Sequence, residues 1–179
     1  MKERQVVLGV TGSIAAYKAA DIIRRLREKN IQVSVVMTAC AEKFISPLTL
    51  AALSCQKVYR EMFDETGAER NIDHIQLAKK ADALLIAPAT ANIIGKIANG
   101  LADDLLSCAA LATKAPILIA PAMNEGMYTN RIFQDNCDKL KKFGVTFIDA
   151  EKGKLACGDE GPGHLANVAD IVDAVLCKL

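Results

Sequence analysis

A chain of 179 residues has the size of one domain and can bury a core without metal or disulfide support. Hydrophobic residues make up 51%, charged residues 24% and aromatics only 4%, a composition that suits parallel strands and packed helices and disfavours an aromatic-rich β-sandwich. A formal net charge of +1 without a concentrated basic stripe argues against nucleic acid, and no apolar run reaches membrane-spanning length, so a cytoplasmic protein acting on a small molecule is expected, with no membrane partner.

Gln5 to Val10 reads as a buried strand, followed by Thr11-Gly-Ser-Ile-Ala-Ala-Tyr-Lys18 and an amphipathic helical pattern to about Lys29. In this turn Gly12 lets backbone approach a ligand, Ser13 offers a hydroxyl, and the N–H groups of the helix start favour an anion such as phosphate. The full GxGxxG spacing is missing, and a Gly-Ser turn that only caps the helix has the same appearance. Ile31 to Met37 is the second strand. It ends in Thr38 rather than in the acidic residue that a dinucleotide fold uses for the ribose, which argues against NAD. Phe44 reads, from the residues alone, as core packing. Ser46-Pro47 then starts a helix that continues through Leu53.

Gln56 to Arg70 is polar and weakly periodic, a connection with an exposed turn at Asp64 to Gly67. Asp73 can cap a short helix, which puts His74 in its first turn, where a neutral imidazole is suited to accept a proton; a surface histidine is the alternative. Ala83 to Ala87 is the third strand, cut off at Pro88. Thr90 and Asn92 beyond it either bond a ligand or cap the helix of Ile93 to Asn99, which Gly100 ends. Asp103 and Asp104 are first-turn acids of a helix to about Thr113.

The fourth strand, Ile117 to Ala120, stops at Pro121 and hands over to the turn holding Asn124, at the strand end where open parallel sheets handle ligands. A helix over Thr129 to Phe143 and a strand over Val145 to Ile148 follow. Leu155 to Gly163 contains three glycines and a proline, so it reads as a flap or clamp that exposes the thiol of Cys157. Asn167 caps a last helix through Leu176. The other cysteines, Cys40, Cys55, Cys108, Cys137 and Cys177, form no CxxC pair and read mostly as small buried hydrophobes, so neither zinc nor a disulfide framework is expected. No repeat or second boundary interrupts a single domain over 1–179.

The motifs Thr11 to Lys18, Pro88-Ala-Thr-Ala-Asn92, Pro121-Ala-Met-Asn-Glu-Gly-Met127 and Ala156-Cys-Gly-Asp159, in this order with His74 before the third strand, resemble the homo-oligomeric flavin-containing cysteine decarboxylases over nearly the whole chain. The resemblance implies an α/β fold, a Rossmann-like (flavodoxin-like) three-layer sandwich with a parallel sheet, and FMN as cofactor. It implies a homotrimer or homododecamer with the flavin near subunit contacts. Gly12, Ser13, Ile14, Thr38, Phe44, Thr90, Ala91, Asn92 and Ala122 match its flavin-contacting positions. His74 matches the catalytic base, Asn124 the carboxylate-binding residue, Lys154, Leu155 and Ala156 the substrate clamp, and Cys157 the reactive cysteine.

The implied reaction, in the family's small-substrate branch, is the decarboxylation of 4′-phosphopantothenoylcysteine to 4′-phosphopantetheine in coenzyme A biosynthesis, through a thioaldehyde and an enethiolate. Two departures stand out. Tyr128 occupies the place of a tryptophan in the pattern PxMNxxMW, and the chain ends at Leu179 without the synthetase domain of many bacterial relatives, so a separate phosphopantothenate-cysteine ligase is expected upstream. The competing expectations are a peptidyl-cysteine decarboxylase of lantibiotic maturation, a flavin prenyltransferase, and a flavin-binding regulatory subunit of a phosphatase. The Ala156 to Gly163 clamp disfavours the first. The Asn124 and Cys157 pair disfavours the second, and retention of His74, Asn124 and Cys157 together disfavours the third.

Overall fold

Strands that are apolar on both faces need cover on both faces, and this requirement organises the chain. The computed structural model describes residues 3–62, 73–154 and 160–179. Strand β1 (Gln5–Val10) is followed by a 3-10 turn over Ile14–Lys18, α1 (Ala19–Glu28), β2 (Gln32–Met37), α2 (Pro47–Ser54) and β3 (Val58–Tyr59). Next come α3 (Asp73–Lys80), β4 (Ala83–Ala89), α4 (Ala91–Ala98), α5 (Leu105–Ala112) and β5 (Ile117–Pro121). The described chain closes with α6 (Glu125–Tyr128), α7 (Arg131–Lys142), β6 (Thr146–Phe147), the strands β7 (Glu151–Lys154) and β8 (Glu160–His164), and α8 (Val168–Leu176).

The main sheet has the order β3-β2-β1-β4-β5-β6, and every pairing in it is parallel. Without the two-residue edge strand β3 this is the flavodoxin-like order; with it, the order is that of the doubly wound dinucleotide-binding sheets. Alternation along the strands divides the core between two faces. Val6, Leu8, Val10, Val33 and Val35 pack with Ile22, Ile23 and Leu26 of α1, Leu50 of α2, and Ile171, Val172 and Val175 of α8. Val7, Val36, Leu84, Ile86 and Ile119 pack on the other side with Leu77, Ile93, Ile94, Ile97, Leu106, Phe133 and Leu140 of α3, α4, α5 and α7. The expected three-layer α/β sandwich is therefore present. Among the described residues no helix is long and apolar enough to cross a membrane.

Caps set several boundaries as expected. Ser46 accepts from the Leu48 N–H at 3.2 Å with Pro47 at the first helical position, and Asn167 accepts from the Ala169 N–H at 3.0 Å. Several expectations need correction. The connection after Gln56 contains β3, which two residues of burial pattern could not announce, while residues 63–70 lie outside the described ones. Strand β4 continues through Pro88 to Ala89, with its register shifting after Ile86. Residues 160–162 of the Gly-rich tail, with His164 beyond it, pair with 151–154 as an antiparallel hairpin whose register shifts at Gly163, since backbone hydrogen bonds do not require side chains. Phe44 is 47% exposed and takes no part in the core. Of the described cysteines only Cys137 is buried, its thiol pushed up to about 11 by desolvation, whereas Cys40, Cys55 and Cys177 are exposed.

Asp104 is not a first-turn acid but the N-cap of α5. Its carboxylate accepts from the Ser107 N–H at 2.8 Å, and the Ser107 hydroxyl accepts the Asp104 N–H at 3.1 Å in return. Lys96 of α4 reaches both Asp103 and Asp104 at 2.7 Å, tying α4 to the start of α5. Burial acts to raise the Asp104 carboxyl, but the hydrogen bonds from Lys96 and Ser107 outweigh it and hold the group below the ordinary carboxylate range. Asp104→Ala should therefore cost about 1–2 kcal/mol of unfolding free energy near neutral pH, measured by urea titration. A depressed folded-state carboxyl contributes fully above its unfolded value and loses that contribution as pH falls through the folded one, so the difference between variant and parent should close below about pH 4.

Candidate functional site

The winding of the strand order reverses between the parallel strands β1 and β4, and a crevice outside the carboxyl ends of these strands is the expected ligand position. Hydrogen bonds and close contacts join the loops there into one surface. Beside β1, the Thr38 N–H at the end of β2 donates to the Val10 carbonyl at 3.1 Å. A Cβ on Gly12 would come within 2.5 Å of Cys40 Cβ, so glycine is required for the loop after β1 to lie on the loop after β2, whatever it also allows a ligand. Across the seam, the Thr11 hydroxyl donates to the Pro88 carbonyl at 2.7 Å and accepts the Thr90 N–H at 3.0 Å. Farther along, the Ala122 N–H donates to the Ala89 carbonyl at 3.0 Å, and the Met123 N–H donates to Gly163 of the hairpin at 3.0 Å.

Along this edge the fold brings together Gly12, Ser13, Ile14, Thr38, Thr90, Ala91, Asn92, Ala122 and Asn124. Ser13 is the N-cap of the 3-10 turn and accepts from the Ala15 N–H at 3.4 Å, so the capping role foreseen for it exists. Ile14 projects outward at 59% exposure. Thr90 is the N-cap residue of α4, but its side chain makes no cap hydrogen bond; of the two roles considered for it, capping is removed. Asn92 is exposed in the first turn of α4, whereas Ala122 is buried with its N–H taken by Ala89.

Asn124 caps α6, its Oδ1 accepting from the Gly126 N–H at 2.8 Å. This bond fixes which end of the amide is the oxygen, so hydrogen bonds from Asn124 to an anion come from Nδ2. His74 stands in the first turn of α3, as expected, beside Asp73, whose carboxylate lies 3.8 Å from Lys57. Only Ala81 and Asp82 separate α3 from β4, so the first turn of α3 points back toward the carboxyl ends of the strands. Two buried polar atoms on these elements, Thr38 Oγ1 and His74 Nδ1, have no hydrogen-bond partner among the described residues. Buried polar atoms are normally paired, so these two mark positions that another molecule can complete.

Lys154 is the last residue of β7, while Leu155, Ala156 and Cys157 lie outside the described residues. The hairpin that carries them is docked from two sides. Gly163 has φ +124°, and a Cβ there would collide with the Met123 carbonyl, so the contact between β8 and the Asn124 loop demands glycine. Tyr128 packs on Phe133 with ring centroids 5.6 Å apart, and the Ala150 backbone hydrogen-bonds its phenol oxygen immediately before β7. Burial leads in raising the phenol above its usual value. Sequence reasoning treated Tyr128 only as a departure from a pattern and gave Thr11 no role; a β-hydroxyl next to a glycine turn was the one signal for the latter.

A family model described as Flavoprotein matches residues 1–179. The Coenzyme A biosynthesis bifunctional protein CoaBC of Vibrio vulnificus is 44% identical over 175 residues, covering 98% of this chain and 43% of that protein, so the chain spans less than half the length of this relative. Among solved structures, a cysteine-to-serine mutant of PPC decarboxylase complexed with pantothenoylaminoethenethiol is 34% identical with a TM-score of 0.89, covering 98% of each chain. The FMN binding protein AtHal3 is 32% identical with a TM-score of 0.82, over 98% of this chain and 96% of that one.

The Tyr128 contact gives a direct test of the hairpin anchor. Tyr128→Phe keeps the ring on Phe133 and removes the oxygen that the Ala150 backbone uses, a loss of about 1 kcal/mol for a hydrogen bond of this kind. Amide exchange at Ala150, followed by NMR, should quicken several-fold while exchange in the β1 and β4 amides stays unchanged.

Proposed function

The chain belongs to the flavoprotein family, and from that premise we propose that it catalyses the FMN-dependent decarboxylation of 4′-phosphopantothenoyl-L-cysteine to 4′-phosphopantetheine, a carboxy-lyase step of coenzyme A biosynthesis. The observation that carries this reading is the end-to-end match with PPC decarboxylase, on a site that keeps His74 and Asn124 at the carboxyl edge of the sheet. The catalytic unit is the single domain of residues 1–179, acting in the cytoplasm.

The residues present fit a flavin mononucleotide. Strand β2 ends in Thr38 rather than a carboxylate, Thr38 Oγ1 is buried without a partner among the described residues, and the Thr90 hydroxyl is not spent on its helix. Gly12, Ser13, Ile14, Thr38, Phe44, Thr90, Ala91, Asn92 and Ala122 would hold it. When bound, FMN supplies two-electron redox chemistry, which turns the substrate thiol into a thioaldehyde, an electron sink β to the carboxylate, and reverses that oxidation at the end.

His74 takes the proton given up as the thiol is oxidised. Asn124 holds the carboxylate through Nδ2. A neutral amide orients the departing group without the ion pair that would stabilise the ground state more than the transition state. Loss of carbon dioxide leaves an enethiolate, to which Cys157 delivers a proton, with Lys154, Leu155 and Ala156 as the substrate clamp before it in the chain. The working form is a homo-oligomer, a trimer or a dodecamer. Ile14 at 59%, Tyr17 at 60% and Phe44 at 47% exposure, apolar side chains next to the cofactor turn, support a subunit contact there. A phosphopantothenate-cysteine ligase makes the substrate.

The purified protein should be yellow with non-covalent FMN and should convert phosphopantothenoylcysteine to a product lighter by carbon dioxide. A colourless protein that FMN does not reconstitute overturns the reading. His74→Asn should keep its flavin and lose about two to four powers of ten in turnover. Cys157→Ser should still release carbon dioxide but stop at the enethiol, since a hydroxyl is a far weaker acid than a thiol. Anaerobic mass spectrometry then finds a species two hydrogens lighter than 4′-phosphopantetheine; normal product at normal rate removes Cys157 from the mechanism.

A further inference from the structure

We infer that Thr11 is the positioning residue of the cofactor crevice, its hydroxyl acting as the last rung between β1 and β4 and thereby setting the loop Thr90 to Asn92 against the turn Gly12 to Ile14. This inference rests on the flavin reading above. The β1–β4 ladder runs from Val6 opposite Ala83 to Gly9 opposite Ile86 and then ends. It cannot continue in the ordinary way, because Pro88 has no N–H to donate. At that point the Thr11 N–H donates to the Pro88 carbonyl at 3.3 Å, its hydroxyl donates to the same carbonyl at 2.7 Å, and the hydroxyl oxygen accepts the Thr90 N–H at 3.0 Å. The side chain is 1% exposed, so water does not replace these bonds.

One group therefore donates and accepts at once, which among side chains of this size only a serine or threonine hydroxyl does. Its two partners flank Ala89, and the residue it holds, Thr90, starts α4 with its own hydroxyl unspent. Thr11 itself is buried in the seam. Its influence passes through the Thr90 N–H, which is bonded in one place and so fixes where the Thr90 side chain and the first N–H groups of α4 stand. A valine in its place preserves shape and leaves the Thr90 N–H buried without an acceptor.

The test uses the purified full chain in four forms: parent, Thr11→Ser, Thr11→Val and Thr11→Ala, the last leaving room for a water molecule should valine fail to fold. FMN affinity is measured by fluorescence quenching, the bound flavin by its visible spectrum, and the fold by melting of the apoprotein and exchange of the Thr90 amide. The parent must bind FMN; if it does not, the functional reading fails and not this inference. Thr11→Ser should bind within about twofold of the parent, while whichever of Thr11→Val and Thr11→Ala folds should bind at least about tenfold more weakly, with a shifted flavin spectrum, a faster Thr90 amide and melting within a few degrees of the parent. Parent-like FMN binding in the hydroxyl-free variants, a serine variant as weak as they are, or failure of both to fold overturns the inference.

Discussion

The seam between β1 and β4 is the constraint on which the rest depends. It is the one place in the sheet where neighbouring strands send their chains in opposite directions, β1 toward α1 and β4 toward α4, so the loops above it diverge and leave room for a ligand. A seam that must part at its top yet stay registered below needs a defined end. The apolar pairs Val6 to Gly9 against Ala83 to Ile86 keep it closed, and proline at position 88 ends the regular ladder. The loops on either side inherit their positions from that ending: Gly12 leans on Cys40 to the left, and Ala122 bonds Ala89 to the right. Four strand ends thus form one rigid rim, a better support for a catalytic geometry than independent loops.

Much of this was legible in the residues, and the reasons differ by element. Strands β1, β2, β4 and β5 announced themselves because both their faces are buried, which demands unbroken aliphatic runs. Ser46 and Asn167 announced helix starts because an orphan N–H has few partners other than a short polar side chain. The candidate positions His74 and Asn124 were legible only through an ordered set of motifs, since a histidine in a first turn and an asparagine after a strand are each commonplace.

What escaped the reading was set by partners distant in sequence. Strand β3 is two residues long and exists because β2 offers an edge at Val35 and Val36. The β7–β8 hairpin is built from backbone bonds between Glu151–Lys154 and a glycine-rich partner strand, neither of which carries an apolar strand pattern. Thr11 gains its meaning from residues 77 positions and more away, so no local window contains it. Phe44 and the exposed cysteines were misread as core because hydrophobicity alone does not say which side of a turn faces inward; here Ala41 fills the interior and Phe44 does not.

The hairpin and the Asn124 loop form a second junction, built on the opposite logic from the first. The β1–β4 seam is held by side chain, backbone and buried aliphatics together, whereas the hairpin meets the rim through a few discrete contacts: Gly163 with Met123, Gly161 against the Glu125 carboxylate, and Ala150 with Tyr128. Every one of these partners lies within four residues of Asn124. Asn124 therefore lies on the same short segment that seats both strands leading to residues 155–159. The acceptor role of Asn124 toward Gly126 makes that segment's geometry and the amide's orientation a single property.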